Sequence, residues 1–414
     1  MGKPFKIVLA TILLIVIAIC TLPFFIDPND SKPKISAAVK DATGRELILE
    51  GDLKLSLFPW IGISTGKIIL GNAEGFQDQP FATAAESKIK VKLLPLLSKK
   101  IEVRRIVLKD LALNLTKNKQ GISNWDDLTA SADTKAALLP DTDNGKQDEQ
   151  STPFTIGGIS IKNAHVNWDN QQTGKHIEIK DLNLNTDQFT YDEPVDVDLS
   201  LVVLNDEAKL KESIKLSTDF TVNEKLDTFL LVNTDLQTTT EGESIPGKSI
   251  TTTLSANDVA LDMAKQTAKI SGLQLKSGDA TLSAEITGTD IKDKPSFQGP
   301  VTIAPFSPTK LMQQLAIELP AMQDANALSS LAINFDLQAT ADSANLQNLV
   351  MVLDDTHIKG SASIKDFALP AIAFNLVADA IDADRYSSTP DKSSKPIASP
   401  AIALAAGANA LPVE

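Results

Sequence analysis

Three histidines are the residues of this chain best suited to proton transfer or metal binding. His165, His176 and His357 are far apart in the sequence, and none has the close spacing of a zinc-binding histidine pair. Each lies within or beside a segment of alternating apolar residues that is typical of a strand. Histidine is the usual general base in enzymes, but a strand position favours a structural role, which we expect for all three.

Asp354 and Asp355 form a pair of carboxylates that could bind a hard cation. Successive side chains of a strand point to opposite faces, so the two carboxylates would diverge. Aspartate is also favoured in hairpin turns, because its carboxylate accepts hydrogen bonds from the nearby backbone. The pair therefore favours a turn over a cation site.

Motifs of known catalytic mechanism are missing from the sequence. It contains no nucleophile elbow, P-loop or HExxH motif. We predict that the protein is not an enzyme and expect no catalytic residue, no bound metal and no cofactor. A site built from scattered carboxylates is the remaining enzymatic alternative, because such sites are nearly invisible in one sequence.

The composition narrows the classes of partner. The chain has 414 residues and a formal net charge of −14, which disfavours a site for a polyanion, so we expect no nucleic-acid partner. Aromatic residues make up only 5% against 43% hydrophobic residues, so the apolar side chains are mostly aliphatic. The single cysteine, Cys20, excludes a framework of disulfides within the chain.

The N-terminal segment predicts a membrane anchor. Residues 7–26 carry no charge, and about 20 apolar residues suffice for a helix to cross a bilayer. Lysines precede this segment and aspartates follow it, so the positive-inside rule places the N-terminus in the cytoplasm and the body on the other side. The apolar run is too long for an ordinary cleaved signal peptide, which is the rival interpretation. The anchor would include Ile7, Leu13, Val16, Ile19, Phe24 and Ile26.

After the anchor, the pattern predicts a mainly β protein with a few short α-helices. Helices are expected between Ser31 and Gly44, at Pro308–Ile317 and at Asp324–Ser330. Period-2 alternation dominates elsewhere, separated by turn residues, as in an antiparallel meander. The alternation is clearest at Leu53, Leu55 and Leu57 and at Ile333, Phe335 and Leu337.

Shifts in composition predict five regions. Residues 129–153 and 387–414 lose their apolar periodicity and become polar or rich in proline and alanine. The expected organisation is a cytoplasmic tip and transmembrane anchor (1–29), an N-terminal β/α subdomain (30–128), a polar and disordered linker (129–153), an extended antiparallel sheet (154–386) and a disordered or truncated C-terminal segment (387–414).

Several segments of the chain together resemble the AsmA family of envelope proteins anchored in the bacterial inner membrane. In the N-terminal part these are GRELILEGDLKLSLFPWIGI (44–63), LGNAEGFQDQPFA (70–82) and the run ending in GISNWDDL (91–128). Later segments are IAPFSPTKLMQQLAIELP (303–320), LDDTHIKGSASIKDF (353–367) and DADRY (382–386). The family pattern leads us to expect a further C-terminal β portion, and the chain therefore to be a fragment or a truncated product.

The resemblance implies a periplasmic body related to bridge-like lipid-transfer proteins, in which a curled antiparallel sheet forms an aliphatic groove. It implies a role in outer-membrane biogenesis, with membrane phospholipids as partners. The groove candidates are Leu53, Leu55, Leu57, Ile333, Phe335 and Leu337, although each could equally belong to the core of a closed sandwich. The alternative is a scaffold or regulator of outer-membrane protein assembly and of protein targeting to the membrane, which would contact the assembly machinery or nascent outer-membrane proteins without carrying lipid.

Overall fold

The computed structural model describes residues 27–56, 61–76, 79–91, 103–128, 156–205, 208–315, 317–319 and 322–387. Helix α1 (Lys32–Thr43) begins with a proline in its first turn and ends at Gly44, whose positive φ of 74° closes the helix. Helix α2 (Pro308–Gln314) begins after Ser307, whose hydroxyl accepts a hydrogen bond from Lys310 N at 3.3 Å. Single 3₁₀ turns occur at Pro28–Ser31, Pro246–Lys248 and Asp384–Tyr386.

The strands all belong to one sheet. In chain order they are β1 (Leu47–Leu49), β2 (Lys54–Ser56), β3 (Ile61–Thr65), β4 (Ile68–Leu70), β5 (Ala82–Ala84), β6 (Glu86–Val91), β7 (Val103–Lys109), β8 (Ala112–Lys117), β9 (Ile156–Asn170), β10 (Lys175–Thr186), β11 (Val195–Asn205), β12 (Leu210–Val222), β13 (Thr228–Gly242), β14 (Ser249–Asp262), β15 (Thr267–Ser277), β16 (Ala280–Thr289), β17 (Ser296–Phe306), β18 (Leu331–Thr340), β19 (Ser343–Leu353), β20 (Thr356–Lys365) and β21 (Ala371–Ala378).

The first eight strands are the halves of four kinked strands. On one side of the kinks the antiparallel pairs are β1 with β4, β4 with β5, and β5 with β8. On the other side they are β2 with β3, β3 with β6, and β6 with β7. The kink between β7 and β8 lies at Asp110, which has a left-handed φ of 49°. β9 then runs parallel to both β7 and β8. The N-terminal region and the later meander are thus joined by backbone hydrogen bonds.

From β9 to β21 each strand pairs antiparallel with the next one along the chain. At about 4.8 Å between neighbouring strands, the twelve spacings of this meander extend for roughly 60 Å. The described strands are arranged as one open sheet and not as a closed sandwich.

Several strands of the meander contain a residue with positive φ in their middle, where the register shifts by one residue. At three of these positions the left-handed residue is an asparagine that donates to a carboxylate of a neighbouring strand. The pairs are Asn163 with Asp110 at 2.6 Å, Asn233 with Asp219 at 2.9 Å and Asn348 with Asp336 at 2.7 Å. In β15 the residue is Gly272, whose amide donates to Glu285 at 2.8 Å. Such β-bulges bend a strand and increase its twist, so the repeated device curls the sheet.

The prediction of a mainly β chain with few short helices is confirmed, but two details are wrong. The helix expected at Asp324–Ser330 is a series of turns. Strand β21 was not predicted at all. Residues 7–26, the polar linker at 129–153 and the C-terminal segment from 388 onward lie outside the described residues, and the five-region organisation stays a prediction. No described helix has the length and apolar character needed to cross a membrane.

A buried polar cluster connects the first strands with the GISNWDDL segment. Arg45 is 2% exposed, donates from Nη2 to Asn124 O at 2.6 Å and to Asp127 Oδ1 at 2.5 Å, and lies 4.4 Å from the centre of the Phe81 ring. Asn124 is fully buried. Its Oδ1 accepts from Thr116 N at 2.9 Å, which fixes the segment against β8. Within the segment, Asp126 Oδ2 accepts from Ser123 N at 2.8 Å, as in a capping box.

A second polar cluster explains why residues 324–330 are not helical. Asp354, in the turn after β19, accepts from the backbone amides of Leu328 at 2.9 Å, Ser329 at 2.8 Å and Ser330 at 3.1 Å. Tyr386 Oη also donates to it at 3.0 Å. The three amides therefore donate to a carboxylate and not to helical carbonyls. The turn favoured for Asp354 over a cation site is confirmed, with φ of 51°.

Asn124→Ala is expected to lower the free energy of unfolding of the N-terminal region by about 1–3 kcal/mol, because it removes the partner of a half-buried N–H and of a half-buried carbonyl. These are Thr116 N and Asn114 O, the latter 2.7 Å from Asn124 Nδ2. Urea unfolding followed by tryptophan fluorescence measures this, since all three tryptophans lie at or before Trp168. The exposed Lys119→Ala is the control, and equal midpoints for the two variants would contradict the prediction.

Asp354→Asn should destabilise the protein in a pH-dependent way. Burial alone would raise the pKa of Asp354, but the hydrogen bonds from Ser329, Ser330, Leu328 and Tyr386 outweigh it and lower the pKa from 3.8 to about 2. A depressed carboxylate pKa gives stability that is fully present above the unfolded pKa and is lost as the pH falls through the folded one. The difference in free energy of unfolding between wild type and variant should therefore be constant near neutral pH and shrink between about pH 4 and pH 2.

The neighbouring Asp355 provides the control for this effect, because its side chain is 93% exposed. Asp355→Asn should change stability by less than about 1 kcal/mol. A pH-independent effect of Asp354→Asn would show that the carboxylate charge is not what holds the turn.

Candidate functional site

The candidate site is the apolar face of the sheet, and its central feature is a continuous row of aliphatic side chains. Strand register places one aliphatic residue of each strand directly opposite that of the next, so the side chains lie on the same face. The central row consists of Ile161, Leu184, Leu199, Leu216, Leu236, Leu254, Leu275, Leu282, Ile303, Ile333, Met351 and Ile358. No polar residue interrupts the row between β9 and β20.

Beside the central row lies a row of smaller, buried side chains. Thr218, Thr234, Ala256, Ala284 and Val301 belong to it and are 4–7% exposed. The two threonine hydroxyls are 2.9 Å apart, so each buried hydroxyl has a hydrogen-bonding partner. This row runs close to the line of bulges. Small residues are buried here because the curvature of the sheet brings the flanking rows together.

The apolar face continues through the parallel joint into the N-terminal strands. Leu55, Ile63, Ile89, Ile106 and Ile159 are opposite one another on β2, β3, β6, β7 and β9. The face therefore extends from the strands nearest the N-terminus to β21 without a change of side.

The opposite face of the same strands is polar. Opposite one another lie Asn185, Asp198, Ser217, Asp235, Ser255, Gln274, Ser283, Thr302 and Asn334. Carboxylates are crowded on this side, and burial together with the charge of Asp198 raises the pKa of Asp196. The sheet therefore has one face that is suited to water and one that is not.

The residues of the central row are mostly half-buried, and Leu275 is 36% exposed. Fully covered core side chains would be buried below this level. The described strands contact mainly their neighbours within the sheet, so the apolar face is uncovered along its centre. A long uncovered apolar surface is typical of a binding surface.

Two cavities lie along this face. The larger, of about 840 Å³, has a floor formed by Leu184, Leu199, Leu216, Leu236 and Leu254. The second, of about 460 Å³, is lined by Ile270, Ile286, Gly299 and Leu337. Gly299 has no side chain, and a Cβ at this position would lie 1.8 Å from Glu285 O, so a larger residue would not fit here without a shift of the backbone. Both volumes are in the range of small-molecule sites.

The groove candidates chosen from sequence occupy two ends of the same face. Ile333, Phe335 and Leu337 lie on three adjacent rows of β18, and Leu55 lies on β2. Leu53, just before β2, is 4% exposed and thus a core residue, while Leu57 is outside the described residues. The anchor residues Ile7, Leu13, Val16, Ile19, Phe24 and Ile26 are also outside them.

The sequence did not single out the leucines that form the floor of the larger cavity. Each of Leu184, Leu199, Leu216, Leu236 and Leu254 lies in a segment with visible alternation, which was the available signal. Their alignment into one row depends on the register between strands, which alternation within a strand does not give.

Each histidine lies beside a carboxylate, which belongs to the adjacent strand for His165 and His176 and follows the end of β21 for His357. The distances are 2.9 Å for His165 and Glu178, 2.7 Å for His176 and Asp169, and 3.0 Å for His357 and Asp379. The backbone amide of His357 is the main cause of the lowered pKa of Asp379. Within the described ranges no group of three or more His, Cys, Asp or Glu residues is placed to hold a metal ion. The absence of enzymatic activity stays a prediction.

Residues 1–406 match the sequence model of the AsmA family. Protein AsmA of Escherichia coli strain K12 is 25% identical over 187 residues, which are 45% of this chain and 29% of that protein. The aligned part thus spans less than a third of this relative. No solved structure matches the chain significantly. Because the family match extends over almost the whole sequence, this protein belongs to the AsmA family.

Proposed function

We propose that the protein is anchored in the bacterial inner membrane by residues 7–26 and carries phospholipid along the apolar face of its periplasmic sheet during outer-membrane biogenesis. Family membership supports a role in envelope biogenesis. The charge-free N-terminal segment supports the anchor and its orientation. The observation that carries the proposal is the central row, which gives acyl chains a continuous aliphatic path across the strands.

The energetics of the groove suit transport of acyl chains. Each methylene shielded from water contributes roughly 0.8 kcal/mol, so the total binding free energy of a long acyl chain is large. The side chains along the row are nearly alike, so a chain that slides by one strand exchanges one set of contacts for an equivalent set. The acyl chains are therefore bound strongly and themselves favour no position along the row, which is what a conduit requires.

Replacing Leu216 and Leu236 by glutamate should remove most of the bound phospholipid, because an ionised carboxylate in an aliphatic groove is strongly unfavourable. Ser217→Glu with Gln237→Glu is the matched control. It adds the same charges to the same two strands, but on the polar face. The measurement is phospholipid per mole of full-length protein after extraction and mass spectrometry, with circular dichroism to verify the sheet. Equal lipid content in both double variants would overturn the proposal.

A second candidate function, the scaffold for outer-membrane protein assembly, is favoured by the exposed last strand. Ile372, Phe374 and Val377 of β21 are 69–72% exposed. Within the described part of the chain β21 pairs with β20 alone, so its other edge offers unpaired backbone groups. Such an edge can bind an extended peptide as an added strand. An unfolded outer-membrane β-barrel protein has suitable alternating segments.

A photo-crosslinking residue at Phe374 should capture unfolded outer-membrane protein if the scaffold function is correct, whereas the same residue at Thr302, on the polar face, should not. The expected product is a protein adduct identified by mass spectrometry. Capture of phospholipid alone at position 374 would favour the conduit and contradict the scaffold.

A further inference from the structure

On each side of the central row lie further rows of inward side chains, which we call the two walls of the groove. The two walls differ chemically along the middle of the meander. The row on one side of the central row is apolar on β11 and β12, where Leu201 lies opposite Ile214. On the next three strands, this row is hydroxylic. Thr238, Thr252 and Ser277 lie opposite one another in it, and Thr240 follows two residues beyond Thr238, opposite Glu212 of β12. We call Thr238, Thr240, Thr252 and Ser277 the hydroxyl patch. Beyond it, the row becomes apolar again at Leu331 and Leu353.

The opposite wall of the same three strands is apolar at its rim. Phe229, Leu261 and Ala268 lie opposite one another near its rim. Phe229 also stacks against Phe220 on the same face, with ring centres 6.5 Å apart. On β14, Thr252 and Leu261 are nine residues apart, roughly 25–30 Å, so the groove changes from polar to apolar across its width.

Threonine is favoured in strands for local reasons, and this alone could explain a threonine-rich segment. Thr239 and Thr251 form such a pair on the polar face, with hydroxyls 3.1 Å apart. The inward hydroxyls are different because they interrupt a row that is otherwise aliphatic. They also border the larger cavity, whose lining includes Leu236 and Leu254, two residues from Thr238 and Thr252.

Hydroxyls in the patch can donate hydrogen bonds. Thr252 Oγ1 donates to Ser277 Oγ at 3.2 Å, which leaves the proton of the Ser277 hydroxyl for a further acceptor. Thr240 Oγ1 donates to the Glu212 carboxylate on β12. A phosphate or ester oxygen is the acceptor that a glycerophospholipid would bring to such a surface.

We propose that a bound phospholipid directs its headgroup to the hydroxyl patch and extends its acyl chains across the central row towards the wall of Phe229, Leu261 and Ala268. This inference rests on the proposed lipid-binding function. It adds a fixed orientation of the lipid in the groove and identifies the wall that contacts the head.

Three single-cysteine variants on β14, in a Cys20→Ser background, test the orientation. Thr252→Cys lies in the hydroxyl patch, Leu261→Cys lies on the apolar wall, and Thr251→Cys lies on the polar face as the control. Each full-length variant is labelled with a small fluorophore and loaded with phosphatidylcholine that carries a nitroxide either on the head or near the end of an acyl chain. We expect the head label to quench position 252 more than 261, the chain label to quench 261 more than 252, and position 251 to keep its fluorescence.

The outcomes separate the two proposals. Quenching of positions 252 and 261 to the same extent by both lipids would overturn the orientation while leaving lipid binding intact. No quenching at any position, with no lipid bound, would overturn both. As an independent variant, Thr238→Val with Thr252→Val should abolish the preference of the head label for this wall, whereas Thr239→Val with Thr251→Val should preserve it. The preference is measured with a fluorophore at Ala280→Cys, which lies opposite Ser277 on β16 and outside the hydroxyl patch. An unchanged preference in the inward variant would overturn the orientation.

Discussion

Antiparallel backbone pairing is the constraint on which the apolar face depends. Paired residues point to the same side of a sheet, so the pairing with one strand determines which side chains of the next strand lie on the apolar face. A slip of one residue would turn an entire strand over and place its aliphatic side chains in water. The leucines of β10 to β16 form one row only because this pairing register is kept from Leu184 to Leu282.

The pairing register between strands is most easily lost at the bulges. An extra residue in one strand reverses the side-chain alternation beyond it, and the hydrophobic pattern of β14 follows that reversal, since Ala256 and Val259 both face inward. The left-handed asparagines Asn233 and Asn348 fix the position of the extra residue through a carboxylate on the adjoining strand. Curvature and correct register therefore come from the same few polar side chains.

The sequence predicted the β-rich class, most strands and the face of several residues, because period 2 is a local property. It also gave the turn at Asp354, whose chemistry is local. The helix expected at Asp324–Ser330 failed for a non-local reason, since a carboxylate 24–26 residues further along the chain takes its amides. β21 was missed because it lacks alternation with polar residues: apart from Asn375 it is apolar on both sides, and it lies exposed at an edge. The long row of leucines required the register of many strands, which no single segment encodes.

The one-after-another pairing from β9 to β21 also has a consequence for cooperativity. Each strand owes its stability to two neighbours, as in a linear array whose unfolding free energy is approximately a sum of local and nearest-neighbour terms. Opening of one end need not propagate to the other, so β20 and β21 can separate while β9 to β12 stay paired. In a molecule built in this way, strands at the end of the array can open without rearranging the groove that remains.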